Sequence, residues 1–489
     1  MNNKTAASTL PIFESSTTSV FVDCVHGHDA AAGTVAQPAR SVSRGVALAR
    51  ALTRPTILVL RQGTCVLNSS VLLTAIDSGL TITSYPGERA VLSGARPLPV
   101  ARWDDLGTCR HGGQCRVLRA ALPYLAISDA RRISTLRING TARFWRARYP
   151  NGNPATTQWP AGWIPSPTAW YPPRTPTSNA THITVAEPVR SSGASWQQYM
   201  VGLAGPCSVF EPASSFWCNA LVGGFATPSG LTFNATQLPH APYAANISGR
   251  AIVHTFHPAH WASWAFLVDA ADDQSLNWTL GGFQDARGGN TGKEWYVENV
   301  LDELDDAGEF FIDTSAPVPV LYLAVNMTDG VPADVAGALL DNLLAITGSP
   351  DFPVTDITLA NITLTDTTAT FLDPMGVPSG GDWSLQHSAA MQVRGAANIM
   401  LHDVLFERLD GLGLLLAGRV RNTTVQQCEF HDIGGTAMAA WGDTAGIDGT
   451  GGQYPLETTV SQTLVHEIGL FQVGVERKKE RKKESKKKK

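Results

Sequence analysis

A repeat with a period in the twenties is the feature of this sequence that most restricts its fold. The segment NIMLHDVLFERLDGLGLLLAG aligns with NTTVQQCEFHDIGGTAMAAWG after a shift of 24 residues, and that segment aligns with TTVSQTLVHEIGLFQVG after a further 35. DITLANITLTD enters the same frame 42 residues before the first of them. Short strands with alternate apolar residues, separated by Gly, Asp and Asn turns, are typical of a parallel β-solenoid when they recur at such a period.

The N-terminal part of the chain fits the same plan. ARSVSRGVALARAL places Val42, Val46 and Ala49 at helical spacing, and TILVLRQGTCVL, SVLLT, LTITSYPG and AVLSG then read as short strands. A helix laid over the first rung would protect the open end of a solenoid. We therefore expect an all-β protein with an N-terminal capping helix.

The period is interrupted between residues 102 and 349. HWASWAFLVDA, EWYVENV and EFFIDTSAPVPVLYLAV within this stretch resemble strands of a separate compact β domain. The predicted division is a disordered N-terminus (1–19), the cap and first rungs (20–101), an inserted β-rich domain (102–349), further rungs (350–475) and a disordered Lys-rich tail (476–489).

The tail differs from the rest of the chain in charge. Residues 476–489 carry a net charge of +7, so the remainder of a chain whose total is −5 carries −12. A run of like charge without apolar residues cannot bury a core. It is read as a localisation or polyanion-binding tail, as a solvated tail without a role, or as the product of a misread gene model. The acidic body shows no basic patch for nucleic acid.

Asparagine contexts indicate passage through the secretory pathway, although the N-terminus lacks the apolar segment of a signal peptide. The alternative is a set of Thr-rich turns in a β protein. No stretch approaches the roughly 18–20 apolar residues of a membrane span. Ten asparagines begin N-x-[ST] triplets: Asn3, Asn68, Asn139, Asn179, Asn234, Asn246, Asn277, Asn326, Asn361 and Asn422.

The seven cysteines fit an oxidising compartment. Two local pairs lie in Gly- or Pro-rich loops, Cys109 with Cys115 and Cys207 with Cys218, and Cys24 could pair with Cys65 across early strands, which leaves Cys428 odd. Seven reduced cysteines in a cytosolic protein are the alternative. None has the spacing of a zinc site, and we predict no metal site and no cofactor.

A series of segments resembles landmarks of secreted right-handed parallel β-helix proteins similar to glycoside hydrolase family 141, whose members include fucosidase and xylanase activities. The segments run in order from VFVDCVHGHDAAAGTVAQPARSVSRGVALARAL through LTITSYPGERAVLSGARPL, LRINGTARFWRARYPNGNP, EWYVENVLDELDDAGEFFID and GVPSGGDWSLQ to GIDGTGGQYPLETTVSQTLVHEIG. The resemblance implies a pectate-lyase-like β-helix with an interrupting β domain and carbohydrate chemistry. It also implies further rungs beyond HEIG. We therefore expect the chain to be truncated and its glycoside hydrolase activity to be impaired.

The repeat frame places charged residues in two adjacent columns. Arg408, Asp432 and Glu467 share one column, and His431 and His466 lie in the next. Neighbouring rungs are about 4.8 Å apart, close to the roughly 5 Å between the carboxyl groups of a retaining glycosidase. A neighbouring like charge favours one carboxyl as general acid beside an ionised nucleophile.

These residues are assigned roles as a hypothesis. Asp432 is the nucleophile or stabiliser, Glu467 the acid/base, and Arg408 the counter-ion that keeps Asp432 ionised. His431 and His466 are predicted to bind sugar hydroxyls, and a loop with Asp443 and Asp448 is expected to overhang the groove and orient the substrate. The competing interpretation is an exposed ladder of paired charges.

The sequence predicts a secreted, monomeric glycoprotein that contains disulfide bonds. Its predicted partner is a polysaccharide or glycan. The protein would be a glycoside hydrolase if active. The first alternative is a noncatalytic carbohydrate-binding or surface-adhesion protein, and the second is a polysaccharide lyase. A calcium ion held by stacked carboxylates is a further possibility, although DTAGID lacks the ligand spacing of an EF-hand loop.

Overall fold

The computed structural model describes most of the N- and C-terminal thirds of the chain and part of its centre. Nearly all regular structure in this portion is β. No helix in these residues is long and apolar enough to cross a membrane. The described residues are 18–53, 55–112, 114–140, 142–151, 189–190, 226–227, 230–233, 238, 240–241, 243, 247–256, 263–282, 295–373, 387–443 and 450–471.

Two sheets consist entirely of parallel strands. Their order follows the repeat, so that each strand pairs with its counterpart one rung away. The first sheet contains Thr18–Val22, Thr56–Leu60, Val71–Leu73, Leu80–Ser84, Leu344–Thr347, Val354–Ala360, Met391–His402, Leu414–Gln426, Met438–Trp441 and Leu456–Ser461, and the second contains Gly63–Val66, Ala90–Ser93, Ile362–Thr367, Leu405–Leu409, Glu429–Ile433 and Leu464–Val465.

The register confirms the alignment of the repeats. Leu359 pairs with Leu401, a shift of 42, and Leu401 pairs with Val425, a shift of 24. Val425 pairs with Val460, the predicted shift of 35. The first three of these side chains are fully buried, because alternate positions of each strand face the interior. The column of apolar residues is therefore the core of the stacked rungs.

The corners between strands are formed by residues in the left-handed region, mostly with polar side chains. Such a backbone is unfavourable for residues other than Gly, Asn and Asp. Its recurrence at equivalent positions shows that the bend belongs to the repeat rather than to one residue type. Three columns share it, namely Asp356, Asn398, Asn422 and Glu457; Asn361, Asp403, Gln427 and Gln462; and Asp366, Arg408, Asp432 and Glu467.

The helix Val42–Arg50 covers the first strands, as its spacing predicted. Val42, Val46 and Ala49 are buried. Gly45 lies against Val22 and Leu58, where a Cβ atom would clash. The Ser41 hydroxyl accepts a hydrogen bond from the Arg44 amide and begins the helix. A second short helix spans Ile127–Arg132, and 3-10 turns span Ala75–Asp77, Arg110–Gly112 and Leu301–Glu303.

Sheets of mainly antiparallel strands lie between the two runs of parallel rungs. One contains Ala95–Pro97, Asp104–Thr108, Cys115–Ala121, Thr135–Ile138, Ala142–Arg146, Glu309–Asp313, Val320–Asn326 and Val335–Ala338. A second contains Arg148–Tyr149, Gly230–Thr232, Ile252–Phe256, Ser263–Ala271, Ser275–Gly281 and Trp295–Glu298, and a pair joins Val189–Arg190 to Ala226–Thr227. We call the first two sheets together the antiparallel region.

Two of the proposed disulfides are present, Cys24–Cys65 and Cys109–Cys115. They confirm the oxidised interpretation for these four cysteines. Cys428 is buried and has no disulfide partner among the described residues, as expected. Cys207 and Cys218 lie outside the described residues, as does the Lys-rich tail.

Candidate functional site

An irregularity of the second parallel sheet brings charged side chains together. In the strand Glu429–Ile433, Phe430 and Ile433 are both fully buried in the core, and His431 and Asp432 lie between them. Consecutive residues of a regular strand point to opposite faces. Here Asp432 has a φ of 55°, and its Oδ2 atom lies 2.9 Å from Nδ1 of His431. Both side chains therefore lie on the outer face.

The same arrangement recurs in the adjacent rungs. Arg408 has a φ of 50° and Glu467 one of 47°, and each follows a polar residue of the outer face. Glu407 pairs in register with His431, and Ile433 bridges to Ile468. Asp432 and Glu467 thus occupy equivalent positions in adjacent rungs, Glu467 lying just after the strand Leu464–Val465. Neighbouring backbones in such a sheet are about 4.8 Å apart.

The partners of Arg408 differ from the prediction. Its Nη2 atom lies 2.8 Å from Oε1 of Glu407, and its Nε atom lies 3.5 Å from Oδ1 of Asp366 in the preceding rung. The guanidinium is held by these two carboxylates. The expected pairing of Arg408 with Asp432 is wrong, because Arg408 is directed toward the rung on its other side.

His431 is instead the closest cationic partner of Asp432. Burial alone would raise the pKa of Asp432, but the hydrogen bond with His431 and the charges of His431, Arg143 and His466 outweigh burial and hold this pKa below its ordinary value. The same hydrogen bond raises the pKa of His431. The pair consequently favours an imidazolium beside an ionised carboxylate.

His466 extends this arrangement by one rung. Its Nε2 atom lies 3.0 Å from Oε1 of Glu429. Its ring is stacked on that of His431, with centroids 5.2 Å apart and planes inclined by 14°. The Nε2 atom of His431 lies 3.7 Å from Oε2 of Glu407. Basic and acidic side chains are therefore in contact both within and between these rungs.

Two arginines of the antiparallel region contact the carboxylates Asp366 and Asp410 at one end of the site. Arg137 donates a hydrogen bond of 2.6 Å to Oδ2 of Asp366, and Arg143 forms an ion pair with the buried Asp410. Arg143 also donates to the carbonyl oxygen of Asp432 at 3.4 Å. The strands Thr135–Ile138 and Ala142–Arg146 thus form one wall beside the second parallel sheet.

Exposure increases away from this wall. The side chain of Asp366 is 8% exposed, that of Arg408 25%, and that of His466 41%. A small cavity at the covered end is lined by Arg137, Arg143 and Asp366, among others. The outer face is therefore closed at Asp366 and accessible from Arg408 onward, and we call this surface the ladder groove.

Asp443 and Asp448, the other two predicted residues, are not found in the ladder groove of the described structure. Asp443 is exposed and forms an ion pair with Arg394, at the far end of the strand Met438–Trp441 from Asp432. Four residues of strand span more than about 10 Å, so the structure does not bring Asp443 to the ladder groove. Asp448 lies outside the described residues.

Sequence reasoning missed four residues of the groove. Asp366 could have been found by extending the 42-residue shift from Arg408. Asp410 accepts a hydrogen bond of 2.8 Å from Thr135 in the antiparallel region. No repeat connects Arg137 and Arg143 to the rungs, so no sequence pattern identified them.

Comparison with known proteins identifies a similar fold but no matching sequence family. No family profile matches the chain, and no curated protein matches it by sequence. A solved structure described as "Glycoside hydrolase" has a TM-score of 0.64 and 17% identity, covering 93% of this chain and 74% of its own. "The complex structure of XylC with xylose" has a TM-score of 0.40 and 9% identity, covering 93% of this chain and 54% of its own. The first shows that this chain has a fold similar to that of a glycoside hydrolase.

Proposed function

We propose that this chain is a carbohydrate-active protein of the glycoside hydrolase type, which acts on a polysaccharide or glycan with two carboxyl groups and no organic cofactor. One observation carries the proposal: Asp432, which is paired with His431, and Glu467 occupy equivalent left-handed positions in adjacent rungs. The strand spacing of about 4.8 Å is close to the roughly 5–5.5 Å of retaining pairs and below the roughly 6.5–9.5 Å of inverting pairs. The fold similarity to a glycoside hydrolase supports the same function.

The scaffold in this proposal is a right-handed parallel β-helix like that of family 141, interrupted at residues 102–349 by a β-rich domain. Ile82, before the interruption, pairs in parallel with Leu359, after it. Leu73 likewise pairs with Ile346, so that parallel pairing resumes already within the last residues of that stretch. Pairing across the interruption supports one continuous stack of rungs, 20–101 with 350–475. Left-handed connections in a crystal structure would contradict this scaffold.

In the proposed mechanism Asp432 attacks the anomeric carbon while Glu467 protonates the departing glycosidic oxygen. The C–O bond breaks, and a glycosyl ester on Asp432 results. Glu467 then removes a proton from water, which attacks the anomeric carbon and releases Asp432. His431 is a positioning residue, because its hydrogen bond keeps Asp432 ionised. His466 and Arg408 flank the sugar.

The decisive experiment is hydrolysis by purified wild-type chain, Asp432→Asn and Glu467→Gln. Substrates are fucosides and xylans, chosen from the activities of the family that the sequence resembles, and the readout is released reducing sugar. Each variant should lose at least about 100-fold in kcat/KM, because removal of a nucleophile or acid/base costs that much or more.

Asp403→Asn is the matched control. Asp403 also has a left-handed backbone and an ion pair, at 2.9 Å with Arg89, but belongs to another corner column. It should leave turnover unchanged. Wild-type rates in Asp432→Asn would contradict the assigned site, and the absence of turnover by the wild type on every glycan tested would contradict the enzyme.

A noncatalytic carbohydrate-binding or adhesion role is the second candidate. It is favoured because the charged side chains of the ladder groove are already paired with one another. Glu407, Arg408, His431 and Asp432 already engage one another, and such a charge ladder needs no chemistry. Retention on a glycan array without release of sugar would identify this role. An unsaturated product that absorbs in the ultraviolet would instead identify a lyase.

Secretion of the protein is part of the proposal. The disulfides support it, as does the exposure of five sequon asparagines, namely Asn68, Asn139, Asn277, Asn326 and Asn422. Asn361 serves as an internal control, since its side chain donates to the Glu88 carbonyl at 2.9 Å. Glycopeptides of native protein should include Asn68, which is exposed, and exclude Asn361. A chain with all ten sequons unmodified would argue against secretion.

A further inference from the structure

A second cluster of polar side chains lies in the antiparallel region, apart from the ladder groove. It combines residues distant in sequence: His240, Glu303 at the end of the turn Leu301–Glu303, and Asp305. One potential ligand atom of each lies within 4.8 Å of the others. The Nδ1 atom of His240 lies 2.6 Å from Oε2 of Glu303. One imidazole nitrogen and two carboxylates therefore converge on one point.

An unsatisfied buried oxygen indicates that this cluster accommodates a ligand. Glu303 is fully buried, and among the described residues its Oε1 atom has no hydrogen-bond partner. The hydroxyl of Tyr243 is likewise buried and faces Glu303. A buried polar atom without a partner destabilises the fold, and a coordinated cation would give this oxygen a partner.

The local charge also favours a cation. The nearby Arg110 is engaged by Asp302 at 2.6 Å. Within the described ranges, neither Glu303 nor Asp305 forms an ion pair with Lys or Arg.

Neighbouring groups orient the three side chains. Asn151 donates to Oδ1 of Asp305 at 2.9 Å, which leaves Oδ2 for another contact. The ring of His111 is stacked on that of His240, with centroids 3.4 Å apart. His111 is itself held near the Asp302 carbonyl, at 3.0 Å, in the loop closed by Cys109–Cys115. Supporting contacts of this kind fix the orientation of metal ligands.

We propose that His240, Glu303 and Asp305 bind a divalent transition-metal ion, zinc being the first to test. Zinc accepts imidazole nitrogen together with carboxylate oxygen, and three protein ligands leave its fourth position open. Calcium takes oxygen ligands, six to eight in number, so a set that includes His240 favours zinc. A bound ion would replace the direct contact between His240 and Glu303. The site lies on different residues from the ladder groove and does not depend on the proposed hydrolysis.

The test uses the full chain, stripped with a chelator and titrated separately with zinc and calcium chloride by calorimetry. Asp305→Asn removes a charged ligand with little change of shape, and Asp306→Asn, an exposed neighbour, is the matched control. Wild type and Asp306→Asn should bind one zinc ion per chain and unfold at higher temperature with zinc. Asp305→Asn should bind at least about 10-fold more weakly.

His240→Gln provides a second variant that removes the nitrogen ligand and should show the same loss. Cobalt substitution gives a further readout, since visible absorption bands of tetrahedral cobalt should appear in wild type and fade in both ligand variants. Zinc binding by Asp305→Asn and His240→Gln with wild-type affinity would overturn the proposal. Binding of calcium in preference to zinc would overturn the assignment of the metal.

Discussion

The Nδ1 atom of His431 lies 2.9 Å from the Oδ2 atom of Asp432, the next residue of the same strand. This contact depends on the left-handed backbone of Asp432, because neighbours in a regular strand face opposite sides. Glu407 and Arg408 meet in the same way at 2.8 Å. A backbone feature of the repeat, rather than any single residue, thus concentrates charged side chains on the ladder groove.

The His431–Asp432 pair should make stability depend on pH. The raised pKa of His431 means that its contribution is complete below its ordinary pKa of about 6.5 and is lost as the pH rises through the folded value. The lowered pKa of Asp432 means that its contribution is complete above about 3.9 and is lost as the pH falls through the folded value. His431→Gln should therefore reduce the free energy of unfolding by up to about 1 kcal/mol at pH 5–6 and less at pH 9.

Urea unfolding of both proteins between pH 5 and 9 measures this difference. His26→Gln is the control, because His26 is exposed and its replacement should have a small effect. A difference between wild type and His431→Gln that is equally large at pH 5 and pH 9 would contradict the ion pair.

The corner at Gln427 is predicted to store conformational strain. Gln427 is exposed and has a φ of 54°, a backbone that costs roughly 1–2 kcal/mol for most residues and less for Asn. Gln427→Asn should raise the free energy of unfolding by up to about 1 kcal/mol. Gln426→Asn is the matched control, since Gln426 is the last residue of the strand Leu414–Gln426, and Asn is disfavoured in strands. Equal effects of the two substitutions would exclude strain at the corner.

Much of the scaffold could be predicted from the sequence, because the alternation of apolar residues determines the register in which the parallel strands pair. Phe406 and Phe430 fall in one column of the alignment, and in the structure their rings stack. The charged columns followed from the same alignment, since His431 lies level with Glu407. Residues at equivalent positions of successive repeats therefore could be predicted to be neighbours in the structure.

The partners within the site could not be predicted in the same way. The alignment places Arg408 in the same column as Asp432, but it does not show toward which neighbouring rung the Arg408 side chain turns. Arg143 approaches Asp432 from a strand almost 290 residues earlier, and its position depends on how the antiparallel region lies against the rungs. Contacts between non-repeating parts carry no periodic signal.

The stacked pair of Phe406 and Phe430 should contribute strongly to stability. Both side chains are fully buried, with centroids 4.3 Å apart and planes inclined by 8°. Phe430→Ala would remove this contact and leave a cavity, at a cost of about 3–5 kcal/mol. Leu405→Ala, a half-buried neighbour of the same sheet, should cost clearly less. Chemical denaturation of both variants measures the difference, and a loss below about 1 kcal/mol for Phe430→Ala would contradict close packing of the core.

The thiol of Cys428 should be nearly inert in the folded protein. It is buried beneath the rungs and free, and burial raises its pKa to about 11. Since the thiolate is the reactive form, at pH 8 this pKa alone slows alkylation by about 200-fold relative to an ordinary cysteine. Gln427→Cys supplies an exposed reference thiol one residue away. Peptide mapping after timed exposure to iodoacetamide should find the new cysteine modified first and Cys428 modified only after denaturation. Modification of both at similar rates in the native protein would show that the rungs at Cys428 open readily to solvent.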